Sequence, residues 1–241
     1  MSPGLSFRLD ENAAESAHFG IKVGEVCGID PASLPDAGAI ADAGRRAGFR
    51  LLTLAVGAPV SIAGFVYVGT LDEYRAPVAI VRDLLPSSRH FPIVALEDGG
   101  WDRLPALLDA AAPTRFSRDA RIDPERVTRR KLAILRERHA RGQAYAAFAF
   151  ATTGACLGFQ YSYVDRRAFT LYELVVPAER MKGLVAAELV AHNLEAAIAG
   201  GAPLDAVTTL VYADNQPSIQ FWARLGLRPT GRGLFHYHHW L

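Results

Sequence analysis

Three groups of residues in this 241-residue chain have types and spacings suited to chemistry. The first is Glu179-Arg-Met-Lys-Gly-Leu-Val-Ala-Ala-Glu-Leu189, where an apolar run gives way to an amphipathic segment. A helix starting there presents unpaired backbone N–H groups and a positive dipole end, with Arg180 and Lys182 beside them and Gly183 adding no bulk. Such an arrangement is an anion cradle; the alternative is an ordinary opening turn whose arginine and lysine face water. The second group is Asp214-Asn215 before a short helix, where Asn215 can cap the helix or bond a ligand amide. The third is His236 and His238, which alternate on one strand face and could reach a common metal ion. No third ligand stands near them in sequence, so no metal is expected.

The rest of the composition narrows the field. The formal net charge is +1, which gives no broad field for nucleic acid or an acidic membrane. Arg129, Arg130, Arg136, Arg138 and Arg141 do cluster along one helix-like segment, but such a stripe reads as a solvated face, and no nucleic-acid partner is expected. Cys27 and Cys156 lack metal or redox spacing. Together with an N-terminus that lacks the basic and apolar regions of a signal peptide, they lead to a cytoplasmic expectation. Leu51–Gly69 is uncharged and just long enough to span a bilayer, yet Gly57, Pro59 and Gly64 interrupt it. Two buried strands around a turn are expected there, and no membrane partner.

The elements that must position these residues follow from periodicity and punctuation. In the first half the pattern predicts strands at Ile21–Ile29, Arg50–Val56, Ile62–Gly69, Pro77–Arg82 and Pro92–Leu96, with helices at Leu34–Ala47 and Trp101–Ala111. Pro113–Asp119 reads as a connector, and Pro124 opens a helix to about Ala140. In the second half, strands Tyr145–Ala151 and Ala155–Val164 flank the turn Thr152-Thr-Gly154. Strand Phe169–Val176, helix Gly183–Ala199, strand Ala206–Tyr212, helix Pro217–Leu225 and strand Gly233–Trp240 complete a mixed α/β layout with one crossover helix.

This order and these marks resemble the acyl-CoA N-acyltransferases of the GNAT superfamily. The likeness rests on "LYELVVPAERMKGLVAAEL", with Val175, Pro177, Arg180 and Gly183, and on "VYADNQPSIQFWARLGLRP", with Asn215, Ser218, Phe221, Trp222, Gly226 and Leu227. Within the first half, "ESAHFGIKVGEV", "PTRFSRDARIDPERV" and the closing "HYHHWL" resemble two-domain acyltransferases of nucleotide-linked amino sugars, the TDP-fucosamine N-acetyltransferases. The fold implied is an α/β (α+β) GNAT fold, its mixed, mostly antiparallel sheet carrying a splayed strand pair. A GNAT-like half over residues 1–118 would precede the acyltransferase domain, 119–241.

The resemblance also implies roles. Acetyl-CoA, or another acyl-CoA, would be the co-substrate, its diphosphate at Arg180, Lys182, Gly183, Leu184 and Val185. Its peptide-like arm would lie along Leu174, Val175 and Val176, with Asn215 and Ser218 near the arm and Trp222 as a lid. Val185 replaces the usual Gly or Ala and is expected to narrow the cradle. Trp222 replaces a tyrosine that protonates the leaving thiolate, a task beyond an indole N–H, so Tyr237 or Tyr212 is the substitute candidate. Glu173 is the candidate base, against a plainer role as a strand carboxylate paired with a cation. The implied acceptor is a small-molecule primary amine, by preference a nucleotide sugar in a cleft between the halves, and an exposed sheet edge for a second copy to cover leads to the expectation of a homodimer. A protein that holds acyl-CoA or an acyl-carrier protein without turnover, and an acyltransferase of amino-acid or peptide amines, are the alternatives.

Overall fold

The computed structural model describes residues 7–96, 98–111, 113–142, 144–177 and 182–241. The elements run β1 (Arg8–Glu11), α1 (Ala13–Phe19), β2 (Val23–Cys27), α2 (Ala37–Arg46), β3 (Leu51–Val56), β4 (Val66–Pro77), α3 (Val78–Leu84) and β5 (Ile93–Ala95). A 3-10 turn (Asp98–Arg103) leads to α4 (Leu104–Asp109) and α5 (Pro124–Ala140). They continue through β6 (Ala144–Phe150), β7 (Cys156–Asp165), β8 (Ala168–Val175), α6 (Lys182–Ala199), β9 (Ala206–Tyr212), α7 (Gln216–Arg224) and β10 (Arg228–Trp240). The chain forms two compact units that interleave in sequence. One holds the residues up to Asp72 with Pro113–Arg130 and Arg232–Leu241; the other holds Glu73–Ala112 with Lys131–Gly231.

In the first unit β1 pairs antiparallel with β2, and β2 runs parallel to β3 from Val23↔Leu51 to Val26↔Leu54. Phe235–Trp240 of β10 closes antiparallel on β3. Helix α2 makes the crossover, its first turn capped by the Asp36 carboxylate, which accepts the Ala39 N–H at 2.7 Å. Ile40 of α2 packs on Val26, Leu52, Leu54 and Tyr237. Phe19, Val23, Leu51, Phe116, Ile122 and Val127 form a second apolar cluster, with Trp240 against it.

In the second unit β5, β6, β7 and β8 form successive antiparallel pairs, and β8 runs parallel to β9. Helix α6 makes this crossover. Its Val190 and Leu194 are buried with Phe169, Leu171, Val207, Val211, Trp222 and Leu227. Each such side chain contributes about 1.5–3 kcal/mol on leaving water. Leu104, Leu108, Leu135, Phe148, Phe159 and Tyr161 form a separate cluster.

Several boundaries differ from the sequence-based expectation. Pro77–Arg82, expected as a strand, is helix α3 after Pro77. Val78, Val81 and Leu85 turn to the core at helical spacing, while Ile80 and Leu84 are exposed at 46% and 51%. A short apolar run carries no periodicity long enough to separate the two readings. Strand β4 runs on through Asp72-Glu-Tyr-Arg75 to Pro77, because Tyr74 and Ala76 alternate inward past the polar residues. Strand β1 and helix α1 were not expected, although Asn12 followed by Glu15 is a capping pattern: the Asn12 side chain accepts the Glu15 N–H at 3.1 Å. The uncharged stretch Leu51–Gly69 is β3, a loop and the start of β4, and no helix among the described residues is long and apolar enough to cross a membrane.

Candidate functional site

The parallel ladder between β8 and β9 begins at Ala168↔Ala206 and, among the described residues, ends at Leu171↔Thr209. Thr209 closes the fork by donating its hydroxyl to the Leu171 carbonyl at 3.0 Å. Beyond that point β8 continues with β7 alone, through Tyr161↔Glu173, Gln160↔Leu174 and Phe159↔Val175. Tyr172 is the extra residue of a bulge in this pairing. The far edge of Leu174–Val175 therefore has no ladder partner among the described residues, and such an edge suits an extended, amide-bearing ligand. On the paired side of β8, Gly158 of β7 lets the chain approach closely, since a Cβ on it would lie 2.7 Å from the Val175 carbonyl oxygen and 3.0 Å from Val176 Cγ2.

Helix α6 begins at Lys182, with no acidic residue in its first turn. Lys182 and Gly183 are exposed, Leu184 is half-buried, and a Cβ on Gly183 would meet nothing within 4 Å. Arg180 lies outside the described residues. Val185 is 1% exposed and packs with Ala147, Ala149, Val176 and Leu189. Its branched side chain thus fills the core beneath the helix, and the crowding expected at the helix mouth is displaced inward.

Helix α7 is capped by Asn215, whose Oδ1 accepts the Ser218 N–H at 3.3 Å. The amide NH₂ of Asn215 is the group it can offer to a ligand carbonyl. Trp222, expected as a lid, is 4% exposed in the cluster of Phe169, Leu171 and Leu194. Its neighbour Phe221 is half-buried and packs against the same cluster and against that of Val176 and Val185; Leu174 does likewise. Sequence reasoning named Phe221 as part of the motif but gave the lid to Trp222, and one position along a helix turns a side chain by about 100°. Gly226, at φ +81°, ends the helix, and a Cβ there would approach Ile80 Cγ2 to 2.6 Å. Leu227 is buried in the same cluster as Trp222.

Glu173 faces α5. Its carboxylate lies 3.6 Å from Lys131 Nζ, the two side chains being 15% and 6% exposed. Burial pushes the Glu173 carboxyl up, against the opposing charge and hydrogen bond of Lys131. Tyr161, opposite Glu173 in the pairing, donates its hydroxyl to the Leu135 carbonyl of α5 at 3.3 Å. The Arg138 guanidinium stacks 3.9 Å over Tyr163 and 4.5 Å over the bulged Tyr172.

No protein-family model and no curated protein sequence matches the chain. Solved structures do. A conserved protein of unknown function from Staphylococcus epidermidis aligns over 99% of this chain and 92% of its own, with TM-score 0.68 and 10% identity. A tandem GNAT protein from the clavulanic acid biosynthesis pathway aligns over 90% and 75%, with TM-score 0.59 and 17% identity. A GNAT-family acetyltransferase from Novosphingobium aromaticivorans aligns over 89% and 82%, with TM-score 0.52 and 17% identity. The fold is that of the GNAT proteins.

The GNAT fold gathers Glu173, Leu174, Val175, Val176, Lys182–Val185, Asn215, Ser218 and Trp222 into one unit, but Tyr237 belongs to the other. Its hydroxyl accepts the Val60 N–H at 3.0 Å, and its ring meets Tyr67 edge-on. Tyr212 stands at the end of β9, its carbonyl accepting the Asn215 N–H at 2.8 Å.

The first unit has a polar cluster of its own. Asp119 accepts hydrogen bonds from Arg121 Nε at 2.9 Å, Trp240 Nε1 at 2.8 Å and His238 Nδ1 at 3.0 Å. Burial alone would raise its carboxyl, but these donors hold it well below the usual range. The Arg115 guanidinium contacts His236 Nδ1 at 3.2 Å, which makes that atom an acceptor and puts the ring proton on Nε2. Burial, then Arg115 and His238, push His236 down to about 4. Burial also lowers His238, against Asp119. Both Nε2 atoms are buried without a hydrogen-bond partner. With Nδ1 of His236 held by a cation, the two rings do not offer matched metal ligands, and no group of three or more His, Cys, Asp or Glu among the described residues is placed to hold an ion.

Proposed function

We propose that the protein is an N-acyltransferase that takes an acyl group from acetyl-CoA or a related acyl-CoA and delivers it to a primary amine. The observation that carries this reading is the fork at Leu171↔Thr209 beside the start of α6. A diphosphate suits the exposed, acid-free turn at Lys182 and Gly183, and the arm suits the free edge of Leu174–Val175. Phe221 and Leu174 would cover the arm, and the Asn215 amide would bond one of its carbonyls.

In the reaction the acceptor nitrogen attacks the thioester carbon, the C–N bond forms and the C–S bond breaks. Glu173 takes the amine proton, a role suited to a carboxyl raised by burial. The leaving thiol is acidic enough to depart without Trp222, which has no hydroxyl to offer. Positioning on the strand edge supplies much of the rate.

The nucleotide-linked amino sugar is the finer acceptor reading, and what supports it is the resemblance of the segments around Phe19, Phe116 and His238. On the same footing, 1–118 and 119–241 correspond to two GNAT-like halves. The burial of Trp222 favours one rival, a protein that holds acyl-CoA without turnover. Thermal shift with CoA and acetyl-CoA, followed by thiol release across amino sugars, amino acids and peptide amines, separates them. Stabilisation with release supports the enzyme; stabilisation with no release on any amine supports the binder. No response to CoA would sink both.

A further inference from the structure

The chain has three lysines, Lys22, Lys131 and Lys182. Lys182 is exposed, and Lys22 makes a 3.5 Å surface pair with Glu11. Only Lys131 is buried, with its ammonium 3.6 Å from the carboxylate of Glu173. Elsewhere α5 uses arginine for its cations, at 126, 129, 130, 136 and 138. A guanidinium would make the stronger, bidentate partner for a carboxylate, so an ion pair alone gives no reason for lysine at this position. What lysine has and arginine lacks is an amine that can shed its proton and attack.

Its surroundings supply the other reactants. Glu173 directly precedes Leu174, where the strand edge becomes free, and the Tyr172 bulge leaves the carboxylate facing α5 and Lys131. We propose that Lys131 is itself an acyl acceptor, so that in the absence of a free amine the protein acylates its own Lys131. This rests on the acyl-CoA reading of the same fork. The Nζ proton passes to Glu173, the nitrogen attacks the thioester carbon, the N–C bond forms and the C–S bond breaks. Lys131 ammonium plus acyl thioester becomes a neutral acyl-lysine, a thiol and one released proton.

The modification has a consequence for the base. Lys131 holds the Glu173 carboxyl down against burial. Once acylated it carries no charge, Glu173 takes up a proton at higher pH, and transfer to external amines slows. Self-acylation therefore damps turnover on other amines.

The test is intact-mass and peptide mass spectrometry of the full chain after incubation with acetyl-CoA and no amine. One added acyl group at Lys131 is expected, falling at least about tenfold in Lys131→Arg and in Glu173→Gln. The Lys131→Gln chain, which resembles the acylated state, should show its acid limb of turnover moved to higher pH, whereas Lys131→Arg should not. Thiol release with added amines but no adduct at Lys131 overturns the inference and leaves the acyltransferase reading standing. Adducts confined to the surface amines of Lys22 and Lys182 overturn it too, as adventitious chemistry. No CoA binding at all removes both.

Discussion

The two parallel crossovers, β2–α2–β3 and β8–α6–β9, are built alike, and the described first turns of their helices carry different side chains. Each ladder has the same extent, Val23↔Leu51 to Val26↔Leu54 in one and Ala168↔Ala206 to Leu171↔Thr209 in the other. Beyond the first, the strand ends open on a cavity of about 300 Å³ lined by Glu25, Cys27, Leu54 and Gly57. The Asp36 carboxylate already occupies one of the helix donors there, accepting the Ala39 N–H at 2.7 Å. Among the described residues, the first turn of helix α6 holds Lys182 and no acidic side chain, and a Cβ on Gly183 would meet nothing within 4 Å. A helix N-terminus attracts anions by its dipole and free N–H groups, and whether it binds a foreign one depends on whether the chain fills the place itself.

Four experiments would break or sharpen that contrast. The largest effect is expected for Glu173→Gln, about a hundredfold loss of turnover with CoA stabilisation retained. In the native chain the acid limb of turnover should lie above an ordinary carboxylate, because burial raises Glu173 and the base must be ionised. Unchanged turnover in the variant would leave α6 with a ligand but no base on β8.

Acid should next single out the first unit. His236 is pushed down in the folded state, to about 4, so between an unfolded value of about 6.5 and that point the unfolded chain binds more protons. Stability is full above this window and is lost as pH falls through it, by on the order of 2–3 kcal/mol. A denaturation series from pH 7 to 4 checks this, and His236→Phe should flatten it.

Gly183→Asp would place a carboxylate inside the first turn of α6, and CoA affinity should fall about tenfold by titration calorimetry, with little change in melting temperature because a Cβ there meets nothing within 4 Å. An affinity equal to that of the native chain would remove α6 as the diphosphate site. The smallest effect belongs to Asp36→Ala, which should cost about 1 kcal/mol through loss of the cap. Detectable CoA binding at α2 in that variant would show that one carboxylate was all that separated the two crossovers.

Much of the chain from Pro124 onward was legible in the sequence. Ala206–Tyr212 is observed as β9 with the expected limits, Pro124 opens α5, and the helix expected from Gly183 begins one residue earlier. These elements are long, periodic and bounded by proline or glycine, so local chemistry decides them. Asn215 as a cap was legible for the same reason. Helix α3 was not, because its short apolar run reads equally as a strand. The inward turn of Val185 and the burial of Trp222 were not legible either, since each depends on which face of a helix meets the sheet. His238 was visible as a candidate and Asp119 as the end of a connector, but the hydrogen bonds that Asp119 accepts from His238 and Trp240 were not.

By itself the sequence determined the order of the strands and helices from Pro124 onward and the turns that separate them, because backbone preference and capping act over a few residues. Tertiary structure alone decided where the β8–β9 ladder stops, and it brought Lys131 against Glu173 and His238 against Asp119. Those outcomes depend on contacts between segments far apart in the chain. The energy of a buried charge or an unpaired strand edge is set by what packs around it.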